Sequence, residues 1–195
     1  MQRIISREEK EKTEGRKRRT IVIIVGVIMI LSTLGYSFMS FGRGGEQGGK
    51  TKSSYKGTEF KLDEYGWNFE IQGLEFVTQY LPEDTENISA NIFINAQDYY
   101  GKPLYFAYES LQEGVREIES NLNEIASRMQ YACLDENCSQ YAIKNCTVDN
   151  IIIIKQGEEN ETFISQEDNC VIISAQSNEI VRASDSFLYK IFGIN

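Results

Sequence analysis

The sequence contains no histidine among its 195 residues. Without histidine the chain cannot build a Ser-His-Asp triad, a His-ligated zinc or haem site, or an imidazole pH switch. It also lacks the G-x-S-x-G, H-E-x-x-H and phosphate-loop motifs, which mark several hydrolase and nucleotide-binding classes. Acidic residues outnumber basic residues by 29 to 20, and this excess disfavours a nucleic-acid partner. We therefore expect no cofactor, no metal and no nucleic acid.

Charged residues are also missing from the whole of 20–41, TIVIIVGVIMILSTLGYSFMSF. As a helix this stretch would span about 33 Å, close to the roughly 30 Å hydrocarbon core of a bilayer. It is longer than the apolar part of a typical signal peptide, and no alanine occurs before Ala90 to build a small-x-small cleavage site. We predict an uncleaved signal anchor, a transmembrane helix over 20–41.

The charges on the two sides of this segment have opposite sign. Residues 1–19 hold eight basic and four acidic residues, and 42–195 hold 12 basic and 25 acidic residues, a net charge of −13. Positive flanking segments stay on the cytoplasmic side of a membrane. We expect a single-pass protein of the cell membrane with a cytoplasmic tail at 1–19 and its C-terminal domain outside.

The segment 42–54, GRGGEQGGKTKSS, contains five glycines and no large apolar residue. This composition is typical of a flexible linker. The remaining residues, 55–195, are numerous enough to bury a substantial core. We predict one extracytoplasmic domain over 55–195.

Hydrophobic periodicity places this domain in the α+β class. Apolar residues at helical spacing predict a helix over 110–132, with Ser110 and Glu113 as a capping box, and a second helix that follows Ser177 and Asn178. Alternating or continuous apolar runs predict strands at 58–62, 67–72, 74–81, 91–95, 104–108, 151–154, 161–166 and 171–175. The order of the segments predicts a mainly antiparallel sheet with two helices packed on it.

All four cysteines follow the apolar segment, at Cys133, Cys138, Cys146 and Cys170. An even number of cysteines in one small domain beyond a membrane helix favours disulfides in an oxidising compartment. Of the three possible pairings we prefer Cys133–Cys138, which closes a tight loop, together with Cys146–Cys170. A zinc site made of four cysteines is the alternative.

Four tyrosines around a predicted strand form a candidate binding face: Tyr99, Tyr100, Tyr105 and Tyr108. Tyrosine provides stiff, amphipathic contact area, which protein interfaces use. In a strand, alternate side chains point into the core, so the alternative interpretation is that some of these rings are buried.

The sequence has four N-x-S/T sequons, which start at Asn87, Asn137, Asn145 and Asn160. They are candidate glycosylation sites if the domain lies outside the cytoplasm. Because a few such triplets arise by chance in a chain of this composition, they support that location only weakly.

Several short segments of the domain resemble a group of small archaeal-type single-pass membrane proteins. These segments are Gly66-Trp67, Pro82 with Glu86-Asn87-Ile88, Gln166 to Cys170, and Phe187 to Ile194. The resemblance implies an anchored domain outside the cytoplasm, and it carries over no functional residue.

The leading hypothesis is a membrane-anchored interaction domain that binds another envelope protein or a second copy of itself. The alternative is a membrane-tethered hydrolase that uses paired carboxylates or a Ser/Lys dyad. A third possibility is an accessory subunit whose helix packs in a membrane complex.

Overall fold

The computed structural model describes residues 51–108, 111–158 and 161–194. The predicted tail at 1–19, the predicted membrane helix at 20–41 and most of the predicted linker lie outside these residues. Among the helices of the described ranges, none has the length and apolar character needed to cross a bilayer.

The first four strands form an antiparallel sheet in sequence order: β1 (Lys52–Tyr55), β2 (Thr58–Leu62), β3 (Trp67–Ile71) and β4 (Leu74–Thr78). The strands predicted at 58–62 and 67–72 are confirmed, and the strand predicted at 74–81 ends at Thr78. Gly66 has a φ of +143°, and a Cβ there would lie 2.5 Å from the Thr78 carbonyl oxygen. Only glycine fits this close approach between neighbouring strands.

The end of the predicted flexible linker belongs to this sheet. Residues 52–54 are part of β1, and Ser53 pairs with Phe60 of β2. The linker prediction over 42–54 is therefore wrong for its last residues. Their polar side chains suit a solvent-facing edge strand as well as a linker, so composition does not separate the two.

The second sheet has six strands in the order β5-β9-β10-β8-β6-β7. These strands are β5 (Ser89–Asn91), β6 (Pro103–Tyr108), β7 (Arg128–Tyr131), β8 (Asn150–Gln156), β9 (Phe163–Glu167) and β10 (Cys170–Ala175). Only β9 and β10 are antiparallel to each other; the four other pairs are parallel.

The predicted α+β class is confirmed, and the four-stranded sheet is antiparallel as expected. The prediction of one mainly antiparallel sheet is wrong, because there are two sheets and the larger one is mostly parallel. Parallel neighbours require a crossover connection, and the helix between β6 and β7 provides one. Strand order of this kind cannot be deduced from periodicity.

Four helices occur in the described residues: α1 (Pro82–Thr85), α2 (Ala96–Tyr99), α3 (Gln112–Leu122) and α4 (Ile180–Ile191). The first two are single turns. The strand predicted at 91–95 is wrong beyond Asn91, the last residue of β5, because 92–95 form no regular structure and lead into α2. The Asn95 side chain accepts a hydrogen bond from the Gln97 amide and caps α2, a favourable use of asparagine before a helix.

The helix predicted over 110–132 is too long. Helix α3 begins after an N-cap at Leu111 and ends at Leu122, and 128–131 forms β7. The Ile125 carbonyl accepts a hydrogen bond from Gly101, and the Ser127 amide donates to Lys102. Met129 fits the helical spacing, but it lies in β7 and packs against the main core from a strand. Alternate side chains of a strand point to one face, so a strand can also place an apolar side chain there.

The main core lies between the two sheets and the long helices. Phe60, Phe69 and Phe76 of the four-stranded sheet pack with Tyr189 and Phe192 at the end of α4. From the six-stranded sheet, one face buries Leu104, Phe106, Ile152, Ile154, Val171 and Ile173 in the same cluster. We call this the inner face of the six-stranded sheet.

The opposite, outer face of the six-stranded sheet carries a much smaller apolar cluster. Its members are Tyr105, Ala107, Ala132, Ile151 and Cys170, with Ile153 and Cys146 packed against them. The run 151–154 thus has side chains in both clusters, as is typical of an interior strand that is covered on two faces.

Candidate binding surface

Two disulfides stabilise the segment between β7 and β8: one closes a loop within it, and the other attaches it to the outer face at β10. Cys133 pairs with Cys138 and Cys146 pairs with Cys170, with Cα–Cα distances of 5.5 and 5.0 Å. The preferred pairing is confirmed, and both bonds use all four cysteines, so no thiolate remains for a zinc site. Cys146 joins the segment directly to β10. We call residues 131–149 the disulfide segment.

Exposed apolar side chains are concentrated in the disulfide segment. Of nine large hydrophobic residues that are exposed among the described residues, it contains five: Tyr131, Leu134, Tyr141, Ile143 and Val148. Val148 is 76 % exposed and Ile143 is 55 % exposed. Contiguous exposed apolar area on a domain surface is typical of an interaction site.

Three tyrosine rings line up across this surface. The ring centroids of Tyr108 and Tyr131 are 5.4 Å apart, and those of Tyr131 and Tyr141 are 5.6 Å apart. These rings, with Asn137 and Cys138, line a groove of about 370 Å³. Tyr108 lies on β6, Tyr131 lies on β7, and Tyr141 lies between the two disulfides in the chain. Ordered backbone therefore holds all three rings before a partner binds.

A second groove adjoins the first along the edge of β7 and shares Tyr131 and Tyr141 with it. Its volume is about 570 Å³, and no carboxylate lines it. We call it the tyrosine groove; its lining is Tyr105, Arg128, Gln130, Tyr131, Tyr141, Ala142 and Lys144. The domain has a net charge of −13, whereas this groove is lined by two basic side chains, Arg128 and Lys144, and by no acidic one.

Both cations contact Tyr105. Lys144 Nζ lies 4.2 Å from the centre of the Tyr105 ring, and Arg128 Nη2 donates to the phenolic oxygen at 3.0 Å. The Lys144 ammonium and then the Arg128 guanidinium lower the pKa of the Tyr105 phenol. Lys144 also pairs with Asp149 at 3.2 Å. Within the described ranges Arg128 forms no ion pair, so its remaining donors face the groove.

The four tyrosines predicted as a binding face are not brought together. Tyr99 is fully buried in the main core, and Tyr100, directly after α2, is 62 % exposed but lines neither groove. Tyr105 is only 4 % exposed, since Lys144 covers its ring. Tyr108 is half-buried and lines the first groove. Tyr99 is thus excluded from an exposed face by α2, which points its ring inward.

The grooves also contain residues that the sequence analysis missed, above all Arg128, Tyr131, Tyr141 and Lys144. Tyr131 and Tyr141 flank the closely spaced Cys133 and Cys138 in the sequence. This pattern could have indicated an exposed aromatic surface, because a short disulfide loop cannot bury large rings by itself. No signal existed for Arg128 while 110–132 was interpreted as a helix, since only strand pairing places it beside Tyr105.

Three of the four sequon asparagines lie in the described residues, and all three are exposed: Asn87, Asn137 and Asn145. Asn87 Oδ1 accepts a hydrogen bond from Arg182, and Asn145 Oδ1 accepts hydrogen bonds from the backbone amide and hydroxyl of Thr147. Asn137 lines the first groove. Asn160 lies outside the described residues. Glycosylation at these positions stays a prediction.

One pair of carboxyl groups lies between α3 and α4. Asp185 is fully buried, and its Oδ2 accepts hydrogen bonds from the Gln79 and Tyr80 amides at 3.0 and 2.9 Å. Among the described residues, the buried Asp185 Oδ1 and Glu117 Oε1 have no hydrogen-bond partner. Burial, and then the charge of the neighbouring Glu117, raise the pKa of Asp185 well above its usual range, and burial raises the pKa of Glu117. Both shifts favour the protonated form of these carboxyl groups.

The described residues contain no group of three or more His, Cys, Asp or Glu side chains that could hold a metal ion. They also contain no hydrogen bond between a serine hydroxyl and a lysine amine. Comparisons with protein-family models, with curated proteins and with solved structures find no match to this chain.

Proposed function

We propose that this protein is a single-pass membrane protein whose extracytoplasmic domain binds a partner protein of the cell envelope through the tyrosine groove and the exposed disulfide segment. The observation that carries the proposal is the concentration of exposed aromatic and apolar side chains on residues 131–149. This segment buries little of its own surface, so hydrophobic burial alone would order it weakly.

The two disulfides supply the order that burial does not. The bond to Cys170 attaches the segment to the six-stranded sheet, and the other bond closes a loop within the segment. The side chains of Tyr131, Tyr141 and Ile143 stay exposed. A surface that is ordered in advance avoids part of the entropy cost of association. Tyrosine and arginine are also the residue types enriched where interfaces gain most of their affinity.

The membrane location rests on the sequence. The uncharged segment 20–41 follows four consecutive basic residues at 16–19, which favours a cytoplasmic N-terminus. Two disulfides in the domain agree with an oxidising compartment. Protease added outside intact cells is expected to remove the domain, and protection of the domain would contradict this orientation.

The hydrolase alternative receives less support. The one buried carboxyl pair with raised pKa values, Glu117 and Asp185, lines neither groove. A general acid must reach the proton acceptor of its substrate, whereas Asp185 is fully buried and bound to two backbone amides. This arrangement favours a structural role for the pair and a binding role for the domain.

The test is photo-cross-linking in intact cells with the full-length protein. A benzophenone amino acid replaces Tyr141, which is 43 % exposed in the groove, or Tyr65, which is 70 % exposed in the turn between β2 and β3. We expect one reproducible partner to be cross-linked at position 141 and not at position 65. A cross-linked dimer at 141 would identify a second copy as the partner.

Equal cross-linking at both positions, or none at 141, would overturn the proposal. To show that the disulfides order this surface, the same experiment is run with Cys133 and Cys138 both replaced by alanine. We expect the yield at 141 to fall, because the chain between Tyr131 and Tyr141 then lacks the disulfide that closes it into a loop.

A further inference from the structure

The edge of the six-stranded sheet beside the tyrosine groove is open. Strand β7 is the last strand of that sheet and pairs with β6 on one side. Ala132 donates its amide to Phe106 in β6, whereas the next amide, that of Cys133, donates to Ala142 on the opposite side. Because backbone groups alternate along a strand, Met129 and Tyr131 direct theirs away from β6.

The residues that follow already show how a strand is added at this edge. Cys133 and Ile143 form a parallel bridge, in which the Cys133 carbonyl accepts from the Lys144 amide. Beside Met129 and Tyr131 no such partner exists in the described part of the chain. Sheets protect exposed edges with short strands, charged side chains, prolines or bulges. Strand β7, with the sequence RMQY, is short and carries Arg128, but it has no lysine and no proline.

The side chains next to this open edge select for acidic residues. Arg128 and Gln130 share the outer face with Tyr105, so they flank the side chains that an added strand would place there. Arg128 has free donors and no carboxylate partner among the described residues, and an arginine guanidinium binds a carboxylate through two parallel hydrogen bonds.

We propose that β7 accepts an acidic, extended segment of the partner protein as an additional strand, with a carboxylate of that segment bound by Arg128. This inference rests on the proposed function and names the part of the partner that is bound. The backbone groups of Met129 and Tyr131 supply the strand hydrogen bonds, and the rings of Tyr131 and Tyr141 cover one side of the added strand. Strand addition of this kind takes affinity from the main chain and specificity from alternate side chains.

A second copy of this domain is a poorer occupant than a different protein. Each copy has a net charge of −13, so two copies repel each other at long range.

The test uses full-length protein in lipid nanodiscs and hydrogen-exchange mass spectrometry of the segment that contains β7. Three synthetic peptides serve as probes: Glu-Val repeated four times, Lys-Val repeated four times, and the Glu-Val peptide with alternate backbone amides methylated. Methylation keeps the charge but prevents pairing as a strand. Only the unmethylated acidic peptide is expected to slow exchange, by about two amides, those of Met129 and Tyr131.

An Arg128→Glu variant provides the matched charge control, because Arg128 is exposed. We expect this variant to lose protection by the acidic peptide and to gain protection by the Lys-Val peptide. Equal protection by the methylated peptide would show a simple anion site and would overturn strand addition. Absence of protection by every peptide at millimolar concentration would overturn it too. Cross-linking at position 141 in cells, if it still occurs, would then leave the broader binding proposal intact.

Discussion

The two faces of the six-stranded sheet are covered in different ways. The inner face is buried by α3 and α4 and belongs to a continuous apolar core. The outer face has a cluster of five buried residues and is covered by the disulfide segment, whose tyrosines stay exposed. Hydrophobic burial stabilises the first arrangement, and covalent bonds hold the second. The face that contributes least to stability is thus the one available for binding.

The largest expected effect on stability comes from a charge placed in the main core, between α3 and the inner face. Leu122 on α3 is fully buried, so Leu122→Asp would bury an unpaired carboxylate. We expect a loss of about 4 kcal/mol or more in the free energy of unfolding, measured by urea denaturation followed by circular dichroism. Asn123→Asp, at the exposed neighbouring position, is the control and should have little effect. Unchanged stability of Leu122→Asp would mean that the inner face is not the main core.

The two disulfides should contribute unequally to the outer face. Cys146–Cys170 spans 24 residues and Cys133–Cys138 spans 5. Loop-closure entropy predicts losses of about 3 kcal/mol for the double alanine variant of the first and about 2 kcal/mol for that of the second. Cys170 is also fully buried, which increases the first value. Thermal unfolding of both variants tests the order, and a larger loss at Cys133–Cys138 would contradict it.

The buried carboxyl pair should make stability depend on pH. The folded state raises the pKa of both Asp185 and Glu117, so it holds a proton that the unfolded chain releases above about pH 4. This contribution is fully present below that pH and is lost as the pH rises through the folded pKa values. We expect unfolding free energy to fall by up to about 1.4 kcal/mol per pH unit in this window.

Asp185→Asn isolates this effect. The amide oxygen can still accept from the Gln79 and Tyr80 amides, and the amide nitrogen can donate to Glu117. Urea unfolding between pH 4 and 8 should show a flatter profile in the variant than in the natural protein. An identical pH slope in both proteins would mean that the folded state does not raise the pKa of Asp185.

The smallest effect on stability is expected at the tyrosine groove. Tyr141→Ser removes a 43 % exposed ring and should change the unfolding free energy by less than about 0.5 kcal/mol. The same variant should reduce protection of β7 by the Glu-Val peptide, because one side of the added strand loses its cover. A large loss of stability would mean that the ring belongs to the core and would remove the contrast between the two faces.

Part of this architecture is local and could be predicted. The strand at 151–154 and the cysteine pairing depend on β-branched composition or on loop length, and both are confirmed. The prediction of a helix over 110–132 is wrong at its C-terminal end, because Met129 fits helical and strand patterns equally well. The prediction of the candidate site missed Arg128 in the same region, since Arg128 contacts Tyr105 only when β7 lies beside β6.

The sequence by itself determined the separation of charge, the uncharged segment at 20–41, the α+β class and the disulfide partners. These follow from composition and from short-range spacing. The tertiary structure decided the mostly parallel strand order, the burial of Tyr99 and the open edge of β7. Each of these depends on which distant segments become neighbours. Strand alternation says that a side chain faces one of two sides, and only the packed fold decides which side is covered.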